Sequence, residues 1–234
     1  MISDAPDAPL ALIRLLQLAS PALPIGAYSY SQGLEWVVEQ GTVHDAASAA
    51  AWIGDLLDHV MATGEAAIVW RLLVATQDND CDWPAMSRWN AWYRASRESS
   101  ELRAETEQMG ASLAKLASDL DLLDAETKAI LPSLAPITLP ASYAIVARAF
   151  AVPPDAALIA YVWSWLENQV MAAIKAVPLG QVAGQRLLLA LGARMPAAVA
   201  VAKAVADDDV ASFAPGLALA SARHETQYTR LFRS

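Results

Sequence analysis

The chain has 234 residues, of which 56% are hydrophobic and 18% are charged, and its formal net charge is −9. This length can bury a core without disulfides or a structural metal. We do not expect an acidic chain of this kind to bind nucleic acid, because phosphate contacts need clustered Lys and Arg. A local basic cluster does lie near the C-terminus, where Arg223, Arg230 and Arg233 accompany Glu225.

The apolar excess predicts either a large partner-binding surface or insertion into a membrane. A membrane span takes about 20 unbroken apolar residues, and the long uncharged runs at 15–34 and 129–147 are interrupted by Pro or Gly. Residues 1–9 contain two Asp and no cationic segment ahead of an apolar stretch, unlike a secretory signal. The single cysteine, Cys81, can form no internal disulfide. We therefore expect a cytoplasmic protein that spans no membrane and binds other proteins.

Apolar residues recur every three or four positions along the chain, which predicts an all-α fold. In chain order, the first helix is broken at 20–26 by prolines and a glycine. The next pattern, over 52–61, predicts an amphipathic helix whose polar face carries Asp55 and His59. Further breaks are expected at 77–84, 131–140 and 152–155.

A seam of leucines and a methionine over 102–123 predicts one long helix. Side chains four positions apart are neighbours on a helix and can form weakly stabilising ion pairs. We therefore expect Arg97 to pair with Glu101, and Arg103 with Glu107.

Residues 156–177 are apolar in nearly every helical direction, which is typical of a helix at the centre of a bundle. Pro178 and Gly180 end this helix and allow a sharp turn into the next one, over 182–193. The sequence has no long flexible linker and no repeat of solenoid period. We predict a single domain over 1–234, a helical bundle of about eight to ten helices.

The sequence lacks the motifs of the common nucleotide-binding and hydrolytic sites. It has no Gly-rich phosphate loop, no dinucleotide fingerprint and no nucleophile elbow. His44, His59 and His224 are far apart and Cys81 lies in an acidic segment, so spacing predicts no metal site and no cofactor. Asp55 and His59 could share a proton or a metal, but a solvated ion pair is the ordinary outcome. We therefore expect a protein that is not an enzyme.

Four long segments carry the strongest functional signal in the sequence. They are LLQLASPALPIGAYSYSQGLE (15–35), SRESSELRAETEQMGASL (96–113), WSWLENQVMAAIKAVPLGQVAGQ (163–185) and SARHETQYTRLFRS (221–234). In this order they resemble the urease accessory protein F family, and together they extend over nearly the whole chain. Four long segments in register are far more specific than a single short motif.

The resemblance implies an all-helical homodimer that acts as an assembly chaperone. Members of this family bind accessory protein D, called H in some systems, and recruit the GTPase, accessory protein G. The complex docks on apo-urease and assists GTP-dependent nickel insertion into its active site. A scaffold of this kind needs apolar binding surface but no nucleotide site of its own, which agrees with the composition.

The resemblance also implies roles for individual residues at the two ends of the chain. Tyr28 would meet Arg230 of the C-terminal tail, residues 221–234, when accessory protein D or H binds, and the tail would become ordered at that point. The tail has the composition of a binding hot spot, although chain ends are often frayed. The residues assigned in this way to accessory protein D or H are Tyr28, Tyr30, Arg223, Tyr228, Arg230, Phe232 and Arg233.

Two further sets of residues follow from the same resemblance. Glu167 and Lys175 would face the GTPase, although a lysine in the last turn of a helix also complements the helix dipole. Gln181 and Gln185 would line a passage for nickel, although buried amides at a helix break usually satisfy backbone groups.

Two alternatives from other functional classes remain at this stage. One is a helical enzyme that acts on an apolar substrate, with Glu35 or Glu167 as its base; it requires a carboxylate of perturbed pKa in a pocket. The other is a module that binds a small apolar molecule in an interior lined by Trp163 and Trp165. Tryptophans on a central helix more often belong to an ordinary core.

Overall fold

Residues 8–77, 81–211 and 214–234 are described by a computed structural model, and their fold is all-α, as predicted. The α-helices are α1 (Ala8–Leu18), α2 (Leu34–Glu39), α3 (Ala46–Leu56), α4 (Ala66–Ala75), α5 (Trp83–Ala95), α6 (Ser100–Asp119), α7 (Ala125–Ile130), α8 (Leu139–Ala149), α9 (Pro154–Ala176), α10 (Gln181–Gly192), α11 (Met195–Ala204) and α12 (Pro215–His224). A π-helix, Leu57–Glu65, joins α3 to α4 without a break.

If α3, the π-helix and α4 are counted as one continuous helix, the described residues form eleven helices, slightly more than the eight to ten expected. The difference comes from short helices, since α2 and α7 have six residues each and are too short to show a clear apolar period. The predicted breaks fall at the junctions between helices. Within the break expected at 77–84, residues 78–80 lie outside the described part of the chain.

Helix α9 lies at the centre of the bundle, as its uniformly apolar sequence predicts. It packs against α1, α2, α4, α8, α10 and α11. Its side chains Leu158, Leu166 and Val170 are completely buried and belong to the main hydrophobic core. Pro154 stands in its first turn, and Val177 has an extended backbone just before Pro178, so both ends fall within two residues of the predicted ones.

Helix α6 packs closely against the segment that leads into α8. A Cβ atom at Gly110 would lie only 2.4 Å from the carbonyl oxygen of Ile137, so this position needs a glycine. The Ser142 hydroxyl donates a hydrogen bond of 2.7 Å to the Gly110 carbonyl across the same contact. This contact holds one side of α6 against the core. The opposite side of α6 can therefore contact other segments of the chain.

The long helix predicted over 102–123 ends earlier than expected. Asp121 has φ of 53°, in the left-handed region, and the Leu122 N–H donates back to the Ala117 carbonyl at 3.0 Å. This is the hydrogen-bond pattern of a Schellman C-cap, which reverses the chain after Asp119. Leu123 is still buried, but it packs on the core from beyond the helix.

Both ion pairs predicted along this helix are replaced by other contacts. Arg97 precedes α6, is buried, and lies 3.6 Å from Glu65 on the π-helix. Glu107 pairs instead with Arg94 on α5, at 2.5 Å. Glu101 turns toward the C-terminal tail. The spacing of charges along α6 therefore predicted the wrong ion pairs, because oppositely charged residues from other helices lie closer.

The π-helix also changes the expected relation of Asp55 and His59. A π-helix has a wider turn than an α-helix, so residues four apart no longer lie directly above one another. Both side chains are exposed, and no ion pair joins them in the described structure. The neighbouring Asp58 is the residue that forms a salt bridge, with Arg194 at the start of α11.

Among the described residues, no single helix has both the length and the apolar composition to cross a membrane. The bent pair formed by α10 and α11 meets the length and composition criteria only when the two helices are taken together.

Candidate functional site

The segment between α1 and α2 forms a tight corner that presents Tyr28 and Tyr30. Gly26 and Gly33 flank this corner with φ of 84° and 77°, values that favour glycine. At Gly33 an added Cβ would lie 3.0 Å from both the Ala220 Cβ and the Ser221 backbone nitrogen of α12. The first corner of the chain is therefore packed tightly against its last helix.

The C-terminal tail folds back over this corner. Glu225 begins the return by accepting a hydrogen bond of 2.8 Å from the Ser100 N–H at the first turn of α6, and its hydrogen bonds to Ser100 lower its pKa. Further along, the Arg233 N–H donates to the Ser29 carbonyl at 2.7 Å. The Ser31 N–H and hydroxyl donate to the Ser234 carbonyl at 2.7 and 2.5 Å. We expected a tail that orders when a partner binds, but in the isolated chain these residues are already docked.

Two glutamates, a histidine and an arginine hold the middle of the tail. We call these four residues, Glu35, Glu101, His224 and Arg230, the tail anchor. Glu35 accepts hydrogen bonds from the backbone N–H groups of Leu231 at 2.6 Å and Phe232 at 3.0 Å. His224 is completely buried, with Nε2 3.3 Å from Glu35 and Nδ1 2.7 Å from Glu101. Arg230 donates to the other oxygen of Glu101. Every member of the tail anchor therefore contacts a group far away in sequence.

A third glutamate, Glu105, holds the end of the tail. Its Oε2 accepts a hydrogen bond of 2.6 Å from the Ser234 hydroxyl, and its Oε1 accepts one of 2.8 Å from the Gln32 side chain. Trp165 on α9 fixes Gln32 in turn, by donating to its side-chain oxygen at 2.9 Å. Burial raises the pKa of Glu105 to about 7, against the lowering effect of these hydrogen bonds.

Beneath Glu105 lies a group of buried polar side chains in the core. Glu65 accepts a hydrogen bond of 2.5 Å from the Tyr161 hydroxyl, and Arg97 stacks on the Tyr93 ring with its guanidinium carbon 4.1 Å from the centroid. These residues and Glu105 border a cavity of about 80 Å³ whose other walls are mostly apolar. Desolvation by burial raises the pKa of both tyrosines, which keeps their hydroxyls neutral.

Lys175 lies between two aromatic rings that come from opposite ends of the chain. Its Nζ is 5.9 Å from the centroid of Tyr28 and 5.7 Å from that of Phe232, within the range of cation–π attraction. Glu167 is half-buried two turns earlier on α9, and burial raises its pKa. Burial, followed by the charge of Glu167, raises the pKa of Tyr28. The structure thus brings together residues that the sequence analysis assigned to two different partners.

The expected contact of Tyr28 with Arg230 is not the one formed in the isolated chain. Arg230 contacts Glu101, and Tyr28 faces Lys175 instead. Tyr30 is buried, and its hydroxyl donates to Gln108 at 2.8 Å. Arg233 lies at the surface with one guanidinium nitrogen 3.4 Å from the same Gln108 oxygen.

The outer side of the tail presents apolar and basic side chains. Tyr228 is fully exposed, and Leu231 is 71% exposed. Tyr228 and Arg223 border an open groove of about 670 Å³ between α2 and α12, whose floor includes Trp36. Phe232 points the other way and is buried in the core. The tail therefore has an inner face that docks and an outer face that is free to bind.

Gln181 and Gln185 lie on the surface of the first turns of α10, both exposed. The interpretation of these side chains as buried amides at a helix break is therefore wrong. No residue in the described part of the chain encloses them, so a passage at this position would need walls from elsewhere.

Of the two candidate bases of the enzyme alternative, Glu167 has a pKa raised by burial but borders a pocket of only about 50 Å³, too small for a substrate of ordinary size. Both oxygens of Glu35 are occupied by backbone N–H groups, so it is not available as a base. Trp163 and Trp165 are only half-buried. Trp163 packs on the outside of the main core, whereas Trp165 borders the cavity of about 80 Å³ beneath Glu105, which is smaller than an ordinary small-molecule site. Among residues 8–77, 81–211 and 214–234, no three His, Cys, Asp or Glu side chains are grouped to hold a metal ion.

No part in holding the tail was expected for Glu101, Glu105 or His224, although they form much of the site. One signal was available for Glu105. It lies three residues after Leu102 and four before Met109, so it occupies a position of the apolar seam. A carboxylate at a seam position is buried and needs hydrogen-bond donors from elsewhere in the fold.

Comparison with known proteins assigns the chain to a family. A family model described as UreF matches residues 43–192. The urease accessory protein UreF of Azoarcus sp. is 57% identical over 227 residues, covering 96% of both chains, and that of Janthinobacterium sp. is 51% identical over 96% of this chain and 98% of its own. A bifunctional urease accessory protein UreEF of Bordetella bronchiseptica is 55% identical over 95% of this chain and 52% of its own length. These matches are to accessory proteins rather than to catalysts, and the chain belongs to the UreF family of urease accessory proteins.

Proposed function

We propose that this chain is the dimeric centre of a cytoplasmic complex with accessory protein D or H and the GTPase accessory protein G. This complex assists GTP-dependent nickel insertion into apo-urease. Family membership supports a role in urease maturation. The UreEF relative joins two accessory activities in one protein, which supports a function carried out beside other accessory proteins.

The observation that carries the proposal is the convergence of three segments on one surface. The corner at Tyr28, the tail at Phe232 and the last turns of α9 at Lys175 come together within cation–π distance. The residues that we assign to accessory protein D or H therefore adjoin Lys175, one of the two that we assign to the GTPase. Binding at the tail can in this way alter the surface presented to the GTPase.

The tail is our proposed site for accessory protein D or H. Its outer face offers the exposed side chains Tyr228 and Leu231, together with Arg223 and Arg233. Exposed aromatic, apolar and Arg side chains are typical anchors of an interface. Because the inner face is already docked, a partner can bind the outer face without first ordering the chain, which lowers the entropic cost of association.

The first experiment mixes the purified chain with its cognate accessory proteins D and G and measures the mass of the complex by light scattering on a sizing column. We expect a discrete complex that contains two copies of this chain. A mass that always equals the separate components, with every nucleotide tried, would contradict the proposal.

Single substitutions then test the tail surface. Tyr228→Ala and Leu231→Ser change exposed side chains, so we expect the fold to be kept and the binding of accessory protein D to fall by at least tenfold, as for hot-spot residues. Leu120→Ser is the matched control, because Leu120 is also an exposed leucine. It lies about 18 Å along α6 from Gln108, the residue that Arg233 of the tail contacts. Equal binding by all three variants and the wild type would remove the tail from the interface.

The GTPase surface is tested at Lys175. We expect Lys175→Met to weaken recruitment of accessory protein G or to reduce nickel loading of urease. Lys203→Met is the control, since Lys203 also lies over an aromatic ring, with its Nζ 4.6 Å from the centroid of Trp70, although it pairs in addition with Asp155. Undiminished recruitment and nickel loading by Lys175→Met would exclude a role for this charge.

The passage for nickel is tested at Gln181 and Gln185. Both are exposed, so alanine substitutions leave the fold intact. We expect the double variant to assemble normally but to activate urease more slowly. Normal activation kinetics would exclude a passage at this position.

A further inference from the structure

The buried side chains around Glu105 carry unequal charge. Glu65, Arg97 and Glu105 are each at least 94% buried, and together they border one cavity. One guanidinium faces two carboxyl groups, so a negative charge is left over if both acids are ionised. An uncompensated charge in this environment is costly, and the usual remedy is that one acid binds a proton.

The groups that face Glu105 from the surrounding elements do not supply the missing positive charge. Tyr93 on α5, Tyr161 on α9 and Tyr30 in the first corner are neutral, since burial raises the pKa of all three. Arg233 of the tail is exposed and directed to Gln108. Among the described residues that border the cavity, Arg97 is the one Arg or Lys. Its salt bridge is to Glu65 and not to Glu105.

The contacts of Glu105 allow it to be neutral. When ionised, it accepts hydrogen bonds from Ser234 and Gln32. When protonated on Oε2, it can donate to the Ser234 hydroxyl, because a hydroxyl both donates and accepts. Its Oε1 still accepts from Gln32.

We propose that docking of the C-terminal tail takes up one proton at Glu105, so that the tail is held more firmly at low pH and released more readily as the pH rises. Ser234 is 1% exposed and lies directly against the Glu105 carboxylate. Undocking of the tail therefore admits water to this carboxylate, which favours its ionised form. The inference rests on the proposed function only in that the tail is the segment proposed to bind accessory protein D or H.

The sign of the effect follows from the two pKa values. Docked, Glu105 has a pKa of about 7, raised from its ordinary value of 4.5. With the undocked carboxyl hydrated and at its ordinary value, the contribution to docking is fully present below pH 4.5 and is lost as the pH rises through about 7. Between pH 6 and pH 8 these values correspond to a loss of roughly tenfold in the docking equilibrium.

The test is hydrogen exchange at the backbone N–H groups of Leu231, Phe232 and Arg233, in the full chain without partners. Rates are corrected for the intrinsic effect of pH on exchange. We expect about tenfold more protection at pH 6 than at pH 8 in the wild type. Glu105→Gln, which resembles the protonated acid, should show equal protection at the two pH values.

Two results would overturn the proposal. One is a wild type whose protection does not change with pH. The other is a Glu105→Gln variant that keeps the tenfold change, which would assign the change to a group other than Glu105. If the variant does not fold, a carbon NMR titration of the Glu105 carboxyl in the wild type decides: a midpoint near 7 supports the proposal, and one near 4.5 contradicts it. Neither measurement uses accessory proteins, so failure here is distinct from failure of the proposed function.

Discussion

The central helices and the C-terminal tail are held in place by different forces. In α4 and α9 the buried side chains are mostly aliphatic or small, such as Ile68, Leu72 and Leu158. The tail is held mainly by carboxylates that accept hydrogen bonds, at Glu35 and Glu105. Apolar burial does not depend on protonation, whereas carboxylate contacts do. The fold can therefore remain stable while the tail is loosened or tightened separately.

The largest expected effect is on the core. Leu72→Ala should lower the free energy of unfolding by about 2–5 kcal/mol, because Leu72 is fully buried and its loss leaves a cavity. Denaturant unfolding followed by circular dichroism measures this change. The control is Val74→Ala on the same helix, where the side chain is 44% exposed. Equal destabilisation by the two variants would contradict the assignment of Leu72 to the core.

The next effect is expected at the tail anchor. Glu35→Gln replaces an acceptor oxygen with an NH₂ group, so that the Leu231 or Phe232 N–H loses its partner, and we expect the tail to be weakened by about 1.5–3 kcal/mol. Hydrogen exchange at residues 231–233 measures this loss, and exchange in α9 should not change. The control is Glu39→Gln, on the exposed side of the same helix. Faster exchange throughout the chain would show that tail and core are not separable.

A smaller effect is expected at Ser31. Its hydroxyl donates a hydrogen bond of 2.5 Å to the Ser234 carbonyl, but that oxygen also accepts from the Ser31 N–H. Ser31→Ala should therefore weaken tail docking by only about 1 kcal/mol, measured by the same exchange experiment. Ser133→Ala is the control, since the Ser133 hydroxyl donates to a nearby backbone carbonyl at an exposed site. A loss as large as that of Glu35→Gln would contradict this order.

The smallest effect is expected at Lys175. Replacement by Met keeps the length of the side chain but removes the cation–π attraction to Tyr28 and Phe232, which is about 0.5–1 kcal/mol at an exposed site. Tail protection should therefore fall by about two- to fivefold. A complete loss of protection would mean that Lys175, and not Glu35, is the main support of the tail.

The helices were the part of the structure that the sequence predicted best. Helix α9 was recognised because apolar residues on all its faces and a proline after its end are local signals. The ion pairs of Arg97 and Glu107 were predicted wrongly, because the nearest opposite charges come from the π-helix and from α5. Spacing along one helix says nothing of charges brought in by its neighbours.

The contacts of the tail were even harder to predict from local sequence patterns. Its composition suggested a binding segment, but Glu35 and Leu231 are separated by 196 positions, and no local pattern links them. The resemblance to the family directed attention to Tyr28, Lys175 and the tail, and the structure brings these residues together. The glutamates that hold the tail were not singled out as its partners, because their role depends on burial.

The sequence by itself determined the all-α class, the positions of the main breaks and the identity of the central helix, since periodicity, proline and glycine act within a few residues. Only the tertiary structure decided which charged side chains are buried, and with what partners. Glu35, Glu105 and His224 are held by groups from distant parts of the chain. The cost or benefit of a buried charge depends on every neighbour that the fold supplies, and those neighbours are not adjacent in sequence.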